Sequence, residues 1–129
     1  MADFNEAFQK FNDTPDHTPE YDAGDIQQNK TMAILAYISW LVLIPLFAAK
    51  DSRFARFHCN QGIVLAIAEI IVWIIFGFLG RIPLIGWLFS VIDGLFSLVC
   101  FGFAVIGILN VLNGKAKELP IVGKFRLLG

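Results

Sequence analysis

The stretch that decides the fold is Gly62–Gly80, GIVLAIAEIIVWIIFGFLG, then the link Arg81-Ile82-Pro83, then Leu84–Asn113, LIGWLFSVIDGLFSLVCFGFAVIGILNVLN. The first run carries one charge, Glu69, and the second carries one, Asp93. About 20 helical residues at ~1.5 Å each match the ~30 Å hydrocarbon core of a bilayer, so runs of this kind read as membrane helices. Thirty helical residues would reach ~45 Å, which leaves two readings of Leu84–Asn113. In the preferred one, a helix over about 87–110 spans the membrane and Leu84–Gly86 lie at its surface. In the other, residues 83–92 form an interfacial or re-entrant piece and Asp93 N-caps a helix over 94–113.

Upstream, Thr31–Ala49 is a run of 19 uncharged residues bracketed by Lys30 and Lys50. It predicts a further crossing of about 29 Å, kinked near its end by Pro45. The expected architecture is all-α: an integral-membrane bundle of three transmembrane helices over about 31–49, 62–80 and 87–110. Together these form a domain over 30–114. A polar, acidic, largely flexible tail precedes it over 1–29, and a basic tail follows over 115–129. The 129 residues leave no room for a second domain. The apolar fraction of 57%, the charged fraction of 16% and the mean hydropathy of +0.66 exclude a disordered chain and an ordinary soluble enzyme domain.

The net charge of -1 excludes a strongly basic nucleic-acid binder and conceals an asymmetry. The acidic tail holds Asp3, Glu6, Asp13, Asp16, Glu20, Asp22 and Asp25 against Lys10. Three crossings put Lys50, Arg53, Arg56, Lys115, Lys117, Lys124 and Arg126 on one side and Lys10, Lys30 and Arg81 on the other. The positive-inside rule then predicts a cell-membrane protein with its N-terminus outside and its C-terminus cytoplasmic. Within the tail, Phe4, Phe8 and Phe11 recur at helical spacing behind Asp3, a potential N-cap. Two readings stand: a frayed tail, or a short amphipathic helix that touches a membrane surface or a partner.

The residues that could carry chemistry are few. Glu69 and Asp93 are intramembrane carboxylates, each costing ~2.5–3.5 kcal/mol if charged at the bilayer centre. Each stands 12 positions from Arg81. An antiparallel pair would therefore put them at comparable depth, where they could share a proton or a cation. The plainer reading has each bonded to polar groups on neighbouring helices, such as Tyr37, Ser39, Ser90 or Ser97. Arg53 and Arg56 share a helical face with Phe54 and Phe57 beside them, and suit anionic lipid headgroups. His58, Asn60 and Gln61 enter the top of the next helix, where they can bond across to other helices. His58 and Cys59 are adjacent and point apart, so no nucleophilic pair is expected. Cys59 and Cys100 show no metal-ligand spacing, and no disulfide, metal or cofactor is expected. Gly62 with Ala66 and Ser90 with Gly94 would let helices approach closely.

Several short motifs carry a resemblance. They are Asn29-Lys30-Thr31-Met32-Ala33-Ile34-Leu35-Ala36-Tyr37, Ile44-Pro45-Leu46, Arg56-Phe57-His58-Cys59-Asn60-Gln61-Gly62, Ile82-Pro83-Leu84-Ile85-Gly86-Trp87 and Leu119-Pro120-Ile121-Val122-Gly123. Over about residues 29–125 the chain resembles small bacterial membrane proteins grouped with the Tic-twenty component of the chloroplast inner-envelope import machinery, with Cys59 standing where Ala is expected. That resemblance implies a role linked to protein translocation, with Arg56, His58 and Gln61 at the cytoplasmic mouth. The function expected is a non-enzymatic membrane subunit with membrane-protein partners or copies of itself. The alternative is a small oligomeric channel or ion/proton carrier using Glu69 and Asp93.

Overall fold

The computed structural model describes residues 2–121, 123 and 125. Helices account for all of the regular structure among them: α1 (Ala2–Phe11), α2 (Ala23–Gln28), α3 (Lys30–Leu35), α4 (Leu43–Ala48), α5 (Arg53–Leu79) and α6 (Gly86–Leu112), with 3-10 turns at Thr18–Glu20 and Ser39–Val42. Lys124 and Arg126 of the basic tail lie outside the described residues.

α5 and α6 are each 27 residues long and apolar enough to cross a membrane. They pack as an antiparallel hairpin, with Phe76 stacked on Phe89 at 6.0 Å between ring centroids. The link is tight: a Cβ on Gly86 would stand 2.1 Å from the Gly80 carbonyl oxygen, so only glycine fits there. Leu84 takes a left-handed conformation (φ 74°) to turn the chain. α5 begins nine residues before the expected start at Gly62, because Ser52 caps it by accepting from the Ala55 amide at 3.0 Å. α6 is unbroken, with Asp93 inside it and not at a cap.

The third expected crossing is not formed. Thr31–Ala49 breaks after Leu35, turns through Ile38 (φ -108°, ψ 73°), and continues as a 3-10 turn and the short α4. A crossing would separate Lys30 from Lys50 by about 29 Å. Instead, Asp25 joins the two ends: the Asn29 amide donates to its Oδ1 at 2.8 Å, Ser52 Oγ donates to the same oxygen at 2.5 Å, and the Phe54 amide donates to Oδ2 at 3.0 Å. The segment dips beside the hairpin as far as Trp40, which lines a groove with Ala66, Glu69 and Trp73, and returns. Gly62 admits this: a Cβ there would stand 1.7 Å from the Ala36 carbonyl oxygen.

The N- and C-terminal segments consequently meet at one end of the hairpin, and not on opposite sides as three crossings require. The His17 amide donates to the Ala116 carbonyl at 2.9 Å, and the Glu118 amide donates to the Pro15 carbonyl at 3.0 Å. Residues 14–18 are thus laid against 116–118, and this part of the acidic tail is structured. The core is a cap at that end of the hairpin, built on buried Phe54, Phe57, His58, Gln61, Val111 and Leu119. Beyond it, α5 and α6 expose apolar side chains such as Trp73 (65%), Phe78 (76%) and Phe101 (67%). An apolar surface this exposed suits lipid, not water.

Candidate functional site

The polar residues of the cap form one directional chain of hydrogen bonds. The Leu119 amide donates to Gln61 Oε1 at 2.6 Å. Gln61 Nε2 donates to the Tyr37 hydroxyl at 2.5 Å, and that hydroxyl donates to His58 Nδ1. His58 Nε2 donates to the Lys115 carbonyl at 3.0 Å. Only a neutral imidazole with its proton on Nε2 satisfies both of its neighbours. The rings of Phe54 and Phe57 stand edge-on to His58, at 4.8 and 5.1 Å. Tyr37 lies flat on Gly107, where a Cβ would fall 2.4 Å from the ring. One network therefore joins the dipping segment (Tyr37), α5 (His58, Gln61) and the C-terminal segment (Lys115, Leu119). Tyr37 bonds to His58 and Gln61, and not to the intramembrane acids.

Asn60 is buried, and its side-chain amide reaches back to the Arg56 carbonyl at 3.3 Å. Arg53 is exposed and lies over the Tyr21 ring at 5.3 Å. Burial pushes the Asp25 carboxyl up, but the hydrogen bonds from Ser52, Phe54 and Asn29 outweigh it and hold the group below its ordinary 3.8.

A second cluster clasps the two ends of the chain. His17 Nε2 donates to Glu118 at 2.6 Å and Nδ1 donates to Glu20 at 2.6 Å, while Thr14 Oγ1 donates to the Glu118 carbonyl. The Glu118 bond, partly offset by burial and supported by Glu20, raises the His17 pKa above its ordinary 6.5. A raised folded-state pKa stabilises the fold fully below about 6.5, and that contribution is lost as pH rises through the folded value. Raising the pH from about 6 to about 9 should therefore lower the protection factors of the Ala116 and Glu118 amides, their exchange being taken relative to the intrinsic rate at each pH. In a His17→Gln chain those protection factors should stay constant over the same range.

Glu69 borders a cavity of ≈ 330 Å³ between α5, α6 and Tyr37-Ile38, together with Ser97, Cys100 and apolar residues. Asp93 is not among the lining residues. It lies four positions before Ser97, so it sits about one turn, ~6 Å, nearer the link than Glu69. The two acids are offset because the hairpin turns about Ile82-Pro83 and not about Arg81. Asp93 Oδ1 is buried without a hydrogen-bond partner among the described residues. Ser97 shares the Glu69 cavity, Ser90 Oγ donates to the Gly86 carbonyl at 3.4 Å, and the side chain of Ser39 lies outside the described residues. Among the described residues, no group of three or more His, Cys, Asp or Glu could hold a metal ion. Sequence reading missed Asp25, His17 and Glu118. Their only local signal was a set of polar side chains within stretches taken as tail.

An apolar two-helix hairpin, capped at one end by two polar clusters that tie residues 14–18, the dipping segment and residues 115–119 to it, defines a small integral membrane protein. The chain belongs to the magnetosome magnetite crystal formation protein family, whose model matches residues 28–126. It is 32% identical over 92 residues to the magnetosome protein MmsF of Paramagnetospirillum magneticum, covering 70% of this chain and 78% of the relative. It is 34% identical over 95 residues to MamF of the same organism, covering 73% and 78%. To MamF of Magnetospirillum gryphiswaldense it is 30% identical over 101 residues, covering 78% and 84%. No solved structure matches it. These matches correct the Tic-twenty-like assignment and the protein-transport role it implied. The Phe57-His58-x-x-Gln61 and Leu119-Pro120-x-x-Gly123 motifs lie within the matched region and meet in the cap, where the Leu119 amide donates to Gln61.

Proposed function

We propose that this chain is a non-enzymatic membrane subunit acting in magnetite crystal formation, the process for which its family is described. The carrying observation is that the family match over 28–126 coincides with the hairpin, the dipping segment and the network that joins them. The cap's polar groups are engaged with one another, which suits a rigid membrane component better than a reaction centre. A shared proton between Glu69 and Asp93 is not supported, because the acids differ in depth and only Glu69 reaches the cavity. The test is expression in a magnetite-forming bacterium deleted for its MmsF and MamF relatives. Crystal size and shape measured by electron microscopy should return toward the parental values. Unchanged crystals with the chain correctly inserted would overturn the reading.

The fold also supports a reversed placement of the N-terminus. Lys10, Lys30, Lys50, Arg53, Arg56, Lys115 and Lys117 now belong to the cap end, against Arg81 at the link. The positive-inside rule then puts the cap and both termini in the cytoplasm, with the dipping segment re-entrant from that side. Cys59 is only 1% exposed, so a reporter has to be introduced. A membrane-impermeant thiol reagent should label an Ile82→Cys chain in intact spheroplasts, and a Lys117→Cys chain only after permeabilisation. The opposite order would refute the orientation.

A further inference from the structure

α1 lies outside the residues the family shares, and its apolar face is uncovered over most of its length. At 3.6 residues per turn, Phe4, Phe8 and Phe11 fall on one face, with Asn5, Glu6, Gln9 and Lys10 opposite. Phe4 is 68% exposed and Phe8 41%. Phe11 stacks on Phe103 of α6, ring centroids 6.3 Å apart. The position of Phe103 decides what the other two rings meet. On the cap side of it, Gly107, Asn110 and Val111 are buried. On the link side, Leu95, Leu98, Val99 and Phe101 stand exposed on the lipid-facing wall. Val105, Leu109 and Leu112 are exposed as well, so the apolar outer face of α6 runs on past Phe103 toward the cap. At ~1.5 Å per residue Phe103 lies about 26 Å from the start of α6 at Gly86, close to the ~30 Å hydrocarbon thickness, and α1 leaves the hairpin at that level.

We infer that α1 lies in the plane of the membrane interface on the cap side, with Phe4 and Phe8 inserted between lipids as an in-plane anchor. The occupant of this face is lipid and not a second protein, because the Phe11–Phe103 pair makes the face continuous with the lipid-facing wall of α6. Asp3, Glu6 and Lys10 leave the helix with a net charge of about -1 and no basic stripe, so anionic headgroups do not draw it in. Attachment by apolar burial alone depends on gaps between headgroups, and so favours curved or loosely packed bilayers. This anchor does not depend on any role in crystal formation.

The test uses the full chain in phosphatidylcholine vesicles, with an environment-sensitive fluorophore on Phe4→Cys or on Glu6→Cys. Native Cys59 and Cys100 are buried, and the parent chain controls for their labelling. Lipid-borne nitroxide should quench the Phe4 probe several-fold more than aqueous iodide does, with the order reversed for the Glu6 probe. Quenching should persist when phosphatidylglycerol replaces part of the lipid, and should strengthen in small, highly curved vesicles. Equal access of iodide to both probes would overturn the inference. So would a Phe4 probe shielded from both quenchers that cross-links to a second copy, or insertion that appears only with anionic lipid.

Discussion

A Gly62→Val chain is expected to lose the dipping segment and with it most of its folded population in detergent. The Cβ at position 62 would stand 1.7 Å from the Ala36 carbonyl oxygen and 2.7 Å from its carbon. Those are backbone atoms, so no rotamer change relieves the overlap. The chain from Lys30 to Ser52 would have to move bodily, and Asp25 ties down both of its ends. Overpacking costs typically reach ~3 kcal/mol, and a clash against backbone belongs at or above that end. Thermal unfolding should shift sharply downward, and protease should cut within residues 36–42 under conditions where the parent chain is intact. Gly77 and Gly94 provide the contrast, since a Cβ at either meets nothing within 4 Å. Alanine at those sites should cost nothing and, by helix propensity, gain up to ~1 kcal/mol. If Gly62→Val unfolds no more readily than Gly77→Ala, the close contact between the dipping segment and α5 does not exist.

That contact also shows where sequence reading ends. Gly62 is legible as a place where helices come close, because small side chains in an apolar run have few other uses. The break it accommodates is not. Thr31–Ala49 has the length and hydropathy of a crossing, and hydropathy does not register that Tyr37 has partners 21 and 24 positions away, on α5. Likewise, Ser52 is a readable N-cap only once Arg53–Gln61 is taken as helix and not as connector. The placement of the two basic clusters followed from the miscounted crossing. With that crossing absent, Lys30 stands at the cap end near Gly114, away from Arg81 at the link.

The candidate residues divide in the same way. His58, Asn60 and Gln61 are legible as polar groups at the cap end of a membrane helix. Their bonding is not, since the donor to Gln61 lies 58 residues later and the acceptor of His58 57 residues later. Glu69 and Asp93 are legible as costly intramembrane acids. Their register is set by the position of the turn, and a small error in its centre displaces one acid from the other by a full helical turn.

The second large effect is expected from breaking the Gln61–Tyr37 bond in both partners. Gln61→Leu orphans the buried Leu119 amide and removes the donor to the Tyr37 hydroxyl. Tyr37→Phe keeps the ring on Gly107 but leaves His58 Nδ1 and the Gln61 amide without that hydroxyl. Each buried group left unpaired costs ~1–3 kcal/mol, so either variant alone should be severely destabilised. The double variant removes donor and acceptor together. Its loss should fall short of the sum of the singles by ~0.5–3 kcal/mol, the range for residues within one hydrogen-bonded network. Hydrogen exchange at the Leu119 amide separates this from general loosening. It should quicken in Gln61→Leu, which removes its acceptor, well before the amides in the middle of α5. Strictly additive losses would mean that the three segments are held independently, and the cap would then be three separate contacts instead of one joint.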